Sequence, residues 1–214
     1  MVPIHKHDVV LFQGDSITDC GRVREVVGPN DLGGLGFGYA KMAGARLLAE
    51  RPGHALAVYN RGVSGDIVED LAARWRADCL DLRPSLLSVL IGVNDTFRQF
   101  DHGTGMVVAR FKRVYRQILD EVCAARPGVK LVLCEPFVLE CGGATEAHRE
   151  EIALRQQAVR ELVAEFGAQY VPFQVMFDHD TTEAQPEYWA PDGVHPTPAG
   201  HARMAEKWIE CVLG

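Results

Sequence analysis

No run of lysine or arginine occurs in the chain, and its 22 basic residues are outnumbered by 29 acidic ones, for a formal net charge of −7. That balance argues against nucleic acid or an acidic membrane surface as a partner. No apolar stretch is long enough to cross a bilayer, and residues 1–8 are short and polar, so neither an anchor nor a secretory signal is expected. The 6 cysteines include no Cys-x-x-Cys pair. Cys79, Cys123, Cys134 and Cys211 fall in segments that read as helix or strand, so buried free thiols and a cytoplasmic location are expected rather than disulfides or zinc. No repeat, linker or low-complexity tract interrupts the chain. At 214 residues, 47% of them hydrophobic, residues 1–214 suit a single domain with a full core.

What is present is an alternation of strand-like and helix-like segments. Residues 9–13, 56–60, 86–91, 131–134 and 169–171 read as strands, the third so uniformly apolar that it suits a strand covered on both faces. Residues 39–50 read as a helix ended by Pro52-Gly53, and 66–82 as a helix stopped before Pro84. Val107, Val108, Phe111, Val114, Tyr115, Ile118, Leu119 and Val122 make a stripe of period 3.6, and 145–166 forms another helix. Thr197-Pro198 is a cap followed by proline at the first helical position, opening a last helix to about Leu213. This order predicts an α/β protein: a five-stranded parallel sheet in a three-layer α/β/α arrangement. Residues 17–38 and 173–196 are left as long irregular stretches, where such folds often carry function.

In an open parallel sheet, ligands bind beyond the carboxyl ends of the strands. Three small polar motifs stand at those ends: Gly14-Asp15-Ser16-Ile17-Thr18, Asn60-Arg61-Gly62-Val63-Ser64-Gly65 and Gly92-Val93-Asn94-Asp95. A fourth, Asp192-Gly193-Val194-His195, lies near the other end of the chain. A serine hydroxyl needs a base to take its proton, and an imidazole oriented by a carboxylate is the usual one. Ser16 is therefore the candidate nucleophile, with His195 the base and Asp192 its orienter. The Ser16 N–H, the Gly62 N–H and the Asn94 side-chain amide are candidate oxyanion donors.

These four blocks resemble the SGNH, or GDSL-type, hydrolase superfamily, with Ile17 in place of the signature leucine. The resemblance spans residues 13–196 and implies a flavodoxin-like SGNH hydrolase fold with Ser16, Asp192 and His195 as a triad. It also implies Ser16, Gly62 and Asn94 as the oxyanion hole, and no metal or organic cofactor. A closer similarity is to bacterial intracellular acetylxylan esterases, through Phe12-Gln13-Gly14-Asp15-Ser16, Leu35-Gly36-Phe37-Gly38-Tyr39, Asn60-Arg61-Gly62, Ile91-Gly92-Val93-Asn94-Asp95 and Asp192-Gly193-Val194-His195-Pro196. It implies a small ester substrate, an acetylated xylo-oligosaccharide.

Other motifs have plainer readings. Ser64 lacks the final glycine of a Gly-x-Ser-x-Gly elbow and reads as the approach to a helix. Asp15 and Asp95 resemble a glycosidase pair, but buried bonding to loop backbone suits them better. The run Gly33-Gly34-Leu35-Gly36-Phe37-Gly38 lacks the lysine of a P-loop. His201, in the first turn of the last helix, takes a surface role by default. Asp15, Arg61, Tyr188 and Trp189 are candidate substrate contacts. Tyr188 and Trp189 offer either a platform for a sugar face or a core anchor; Arg61 and Arg98 are either cleft contacts or surface charges.

The helices and strands leave no room for a lid domain, and no apolar segment is available to build a long acyl groove. A short acyl group on a polar alcohol is expected, with lysophospholipase or thioesterase as the alternative enzyme. A carbohydrate-binding module on the same scaffold is the non-enzymatic alternative, but it has little use for an intact triad. The late-loop aromatics suit a homo-oligomer.

Overall fold

The computed structural model describes residues 1–103 and 107–214. Five strands, β1 (Val9–Gly14), β2 (Ala57–Asn60), β3 (Leu86–Leu90), β4 (Lys130–Cys134) and β5 (Gln169–Val171), form one parallel sheet in the order β2-β1-β3-β4-β5. Register is continuous across it, with Leu11 opposite Tyr59 on one side and Leu87 on the other. The helices described are α1 (Ser16–Asp19), α2 (Tyr39–Glu50), α3 (Val68–Ala73), α4 (Val93–His102), α5 (Val108–Ala125), α6 (Glu146–Phe166), α7 (Phe173–Asp180), α8 (Pro186–Trp189) and α9 (Pro198–Leu213).

Side chains of a strand alternate between faces, so one apolar strand feeds two cores. Val10 and Phe12 of β1 pack with Tyr39, Phe173, Phe177 and Trp208 under α2, α7 and α9. Leu11 joins Trp75, Phe111, Tyr115, Leu119 and Leu162 under α3, α5 and α6 on the opposite face. The first core is anchored by the Phe12–Trp208 ring pair, 5.1 Å between centroids, and by Trp208 Nε1 donating to Ser88 Oγ at 2.9 Å. Burying large rings on both faces supplies the apolar area that holds the layers together.

The sheet order reverses direction at β1, since β2 lies on one side of it and β3 on the other. This is the flavodoxin-type order, whose switch point opens a crevice between the ends of β1 and β3.

Three segments depart from the sequence expectation. The helix expected over 66–82 breaks at Arg74: α3 ends there, and a wider π turn, Arg76–Leu80, follows Trp75. α4 is unexpected from sequence because Gly92-Val93-Asn94-Asp95 reads as a strand-end motif, although Val93, Phe97 and Phe100 stand at helical spacing. Residues 173–196, expected to be irregular, contain α7 and α8; Phe173, Met176 and Phe177 supply the buried face of α7 at helical spacing.

Candidate active site

At the end of β1 the chain turns sharply into α1. Asp15 caps that helix, accepting from Ile17 N at 3.1 Å, and its backbone oxygen accepts from Thr18 N and Asp19 N. Ser16 is thereby fixed as the first helical residue, and its Oγ lies 2.8 Å from His195 Nε2 across 179 positions of sequence.

The His195 ring is oriented from its other side. Nδ1 lies 2.7 Å from Asp192 Oδ2, while Asp192 Oδ1 accepts from the backbone nitrogens of Val194 and His195 at 3.0 and 2.7 Å. Burial opposes ionisation of Asp192, but these bonds outweigh it and hold its carboxyl below the usual carboxylate range. An ionised Asp192 places the ring proton on Nδ1 and leaves the Nε2 lone pair to accept the Ser16 hydroxyl proton. The tight turn needs Gly193, which has φ +82° and whose missing side chain leaves room for the Leu139 carbonyl.

The three candidate donors stand just beyond three strand ends, those of β1, β2 and β3. Among the described residues none accepts from Ser16 N–H. Asn94, in the first turn of α4, gives one amide hydrogen to Asp66 O at 3.0 Å and keeps the other. Gly62 N–H is already engaged, donating to Asn60 Oδ1 at 2.9 Å. An oxyanion must share that hydrogen with Asn60, and an anionic acceptor is the stronger of the two. No other residue fits position 62, because a Cβ there would overlap the Asp19 backbone nitrogen.

Residues 12–203 match the GDSL-like lipase/acylhydrolase family. Over 209 residues the chain is 35% identical to an acetylxylan esterase of Geobacillus stearothermophilus, covering 94% of this chain and 91% of that one. The chain belongs to the GDSL-like lipase/acylhydrolase family. It is an enzyme, a carboxylic ester hydrolase. A solved structure from Parabacteroides merdae described as a GDSL-like lipase superposes with TM-score 0.95 at 37% identity, covering 99% of this chain and 98% of that one. Axe2, an acetyl-xylooligosaccharide esterase of Geobacillus, was solved as an arginine variant; it gives TM-score 0.89 at 31% identity, covering 98% and 95%. Serine and aspartate variants of Axe2 are described as catalytic mutants.

Two of the candidate substrate contacts take a different role in this GDSL-like enzyme. Asp15 is 1% exposed and serves α1 as its cap, and burial pushes its carboxyl up to about 7 against the opposing Ile17 bond. Arg61 is 7% exposed; its guanidinium holds Val27 O and Asn60 O and lies over the Tyr59 ring. Both brace the site from beneath rather than face a ligand. Tyr188 is exposed and packs edge-on against Trp189, whose Nε1 donates to Asp180 O. Arg98 reaches Gly65 O at 2.7 Å.

The plainer readings hold with one exception. Asp95 is buried, accepts from Val68 N, and is pushed up to about 6 by that burial. Ser64 donates through N and Oγ to Asp19 Oδ2, so its partner is a carboxylate. Burial opposes ionisation of Asp19, but the Ser64 and Arg24 bonds outweigh it and keep it charged. His201 overturns its surface assignment: it is 5% exposed, because α9 turns it inward against Tyr39 N and Cys20 Sγ.

Sequence reasoning assigned no role to Asn60, Arg22 or Arg74. Asn60 is fully buried and donates to Thr18 O and Leu35 O while accepting from Gly62 N. Arg22 Nε holds Gly62 O at 2.7 Å. The position of Asn60 at a strand end, beside Arg61-Gly62, was the available signal for it. Among the described residues no group of three or more His, Cys, Asp or Glu could hold a metal ion, and no helix is long and apolar enough to cross a membrane.

Proposed function

We propose that this enzyme removes short acyl groups, acetyl foremost, from a polar alcohol, with acetylated xylo-oligosaccharides as its substrate class. The observation that carries this reading is the unbroken hydrogen-bonded path from Asp192 through His195 to Ser16 at the switch point of the sheet. Ser16 Oγ attacks the ester carbonyl as His195 Nε2 takes its proton, and the tetrahedral oxyanion is held by Ser16 N–H, Asn94 Nδ2 and the shared Gly62 N–H. His195 then protonates the leaving alcohol. A water that gives its proton to the same nitrogen attacks the acyl-enzyme and frees the acid.

Two features support a small acyl group on a bulky alcohol. The His195 and Asp192 side chains are each 54% exposed, so the triad opens to solvent and leaves space for a large leaving group. A groove of about 440 Å³ between α2 and α9 has a partly apolar lining that includes Met42, Ala205 and Ile209, but neither Ser16 nor His195 belongs to it. The acetylxylan esterase relatives support the sugar.

The test is a substrate panel: acetylated xylo-oligosaccharides, p-nitrophenyl esters of rising chain length, and a lysophospholipid, each with wild type and Ser16→Ala. Turnover is expected to be best on the acetylated sugar, to fall with acyl length, and to vanish in Ser16→Ala. Preference for long acyl chains or for the lysophospholipid would overturn the substrate class. Undiminished activity of Ser16→Ala would remove the nucleophile.

A further inference from the structure

We infer that Arg74 is a positioning residue for ester hydrolysis, a single guanidinium that ties the end of β1 to the loop after β2 and, through Asp66, orients the candidate donor after β3. The inference rests on the function proposed above. Arg74 stands where α3 ends and the π turn begins, and π turns inside helices are frequent at functional sites. Its side chain is mostly shielded from solvent.

Each arm of the fork reaches a different part of the site. Nη2 donates to Gly14 O at 3.0 Å, holding the peptide that leads into Asp15 and Ser16. Nη1 donates to Arg61 O at 2.6 Å and is also near Gln13 Oε1 and Asp78 Oδ2, at 2.9 and 3.1 Å. Nε donates to Asp66 Oδ2 at 2.7 Å, and the backbone oxygen of Asp66 is the one that holds Asn94 Nδ2. One side chain thus ties the loops after β1 and β2 to the residue that orients the donor after β3.

The Arg61 contact acts on a reacting group through one peptide unit. Arg61 C=O and Gly62 N–H belong to the same amide, so a cationic donor on the oxygen polarises the N–H and strengthens it toward an anion. This offsets the competition from Asn60 Oδ1. The role needs the planar five-donor fork: a lysine ammonium at this place brings the charge but cannot reach Gly14 O, Arg61 O and Asp66 together.

The experiment compares wild type, Ser16→Ala, Arg74→Lys, Arg74→Ala and Leu119→Ala on p-nitrophenyl acetate, with Tm measured for each. Leu119 is buried in the middle of α5, among the apolar side chains of that core, and has no polar group to hold a strand-end loop, so its variant reports what lost stability alone does. Arg74→Ala is expected to lower kcat about 10²-fold with KM changed by no more than about threefold, since misplacing reacting groups by an ångström costs that order. Arg74→Lys should fall between, and methylguanidine should restore part of the kcat of Arg74→Ala. If Arg74→Ala does not fold, Arg74→Lys decides. A kcat loss in Arg74→Lys no larger than in Leu119→Ala, or a loss carried by KM alone, overturns the inference and leaves Arg74 a structural brace. Equal activity of wild type and Ser16→Ala is a separate result, which sinks the proposed function and this inference with it.

Discussion

At the scale of single residues, the site depends on donors that have somewhere else to bond. Asn94 spends one amide hydrogen on Asp66 O, which fixes the carboxamide plane and aims the second hydrogen. Asn94→Ala is therefore expected to lower kcat about 10²–10³-fold while leaving KM nearly unchanged, because the bond it loses strengthens only as the oxyanion forms. Steady-state kinetics on p-nitrophenyl acetate measure it, and a change confined to KM would take Asn94 out of the oxyanion hole. Ser16 and Asn94 were legible as candidates because small polar motifs at strand ends have few structural uses, and Asp192 and His195 because a carboxylate three residues before an imidazole suits a serine's base and its orienter. Type and proximity do not reveal burial, so Asp15 stood as a substrate contact beside its preferred reading as a buried backbone partner, and Arg61 as a cleft contact or surface charge, although its guanidinium is buried on Val27 O and Asn60 O. Arg74 was invisible, since its acceptors lie on β1, in the loop after β2 and in the π turn after α3, too far apart in sequence to read as a set.

At the scale of elements, the first turn of α9 is tied to the nucleophile helix through His201. Its Nδ1 accepts from Tyr39 N at 3.2 Å, so the neutral ring carries its proton on Nε2, facing Cys20 Sγ at the end of α1. Burial first, then the charge of His195, push its pKa down from 6.5 to about 4. The unfolded chain takes up this proton near pH 6.5 and the folded chain only near 4, so between them the unfolded state binds more protons. Stability from this group is complete above about pH 6.5 and is lost as pH falls toward 4, on the order of 3 kcal/mol. Asp15 and Asp95, pushed up by burial to about 7 and about 6, act with the opposite sign over the same range, so the expected outcome is a difference. The Tm of wild type relative to His201→Gln, whose amide oxygen can still accept from Tyr39 N, is expected to fall as pH drops from 6.5 to about 4. An unchanged slope in the variant would place the effect elsewhere. Periodicity made α2, α5, α6 and α9 legible, since each is long enough to show a stripe. The stripe of α4, Val93, Phe97 and Phe100, is short and begins inside a strand-end motif, and the break at Arg74 is decided by tertiary bonds rather than apolar spacing.

At the scale of the whole molecule, strand alternation and strand-end motifs together made the parallel sheet and its crevice legible, while the strand order was implied by the resemblance to a flavodoxin-like fold and by no periodicity. That order puts β1 inside the sheet, between β2 and β3, with Ser16 just past its end and the last loop folded back over it. The loop is tied to the body at several points: Leu139 N donates to Gly193 O, Cys141 Sγ to Ala190 O, Trp189 Nε1 to Asp180 O and Thr197 N to Trp189 O, and α9 after it is held by Trp208 against Phe12 and Ser88. The contact between Ser16 and His195 therefore exists only while both ends of the chain are packed on one core, so the site and the fold should be lost together. In a urea titration, the midpoints read by far-UV circular dichroism and by residual esterase activity are expected to coincide. Activity lost at a clearly lower urea concentration would mean that the Asp192–His195 loop peels away while the sheet survives, a local opening with a free energy well below the global one. In that case Gly193 and the Leu139 contact, rather than the two cores, would set the working stability of the enzyme.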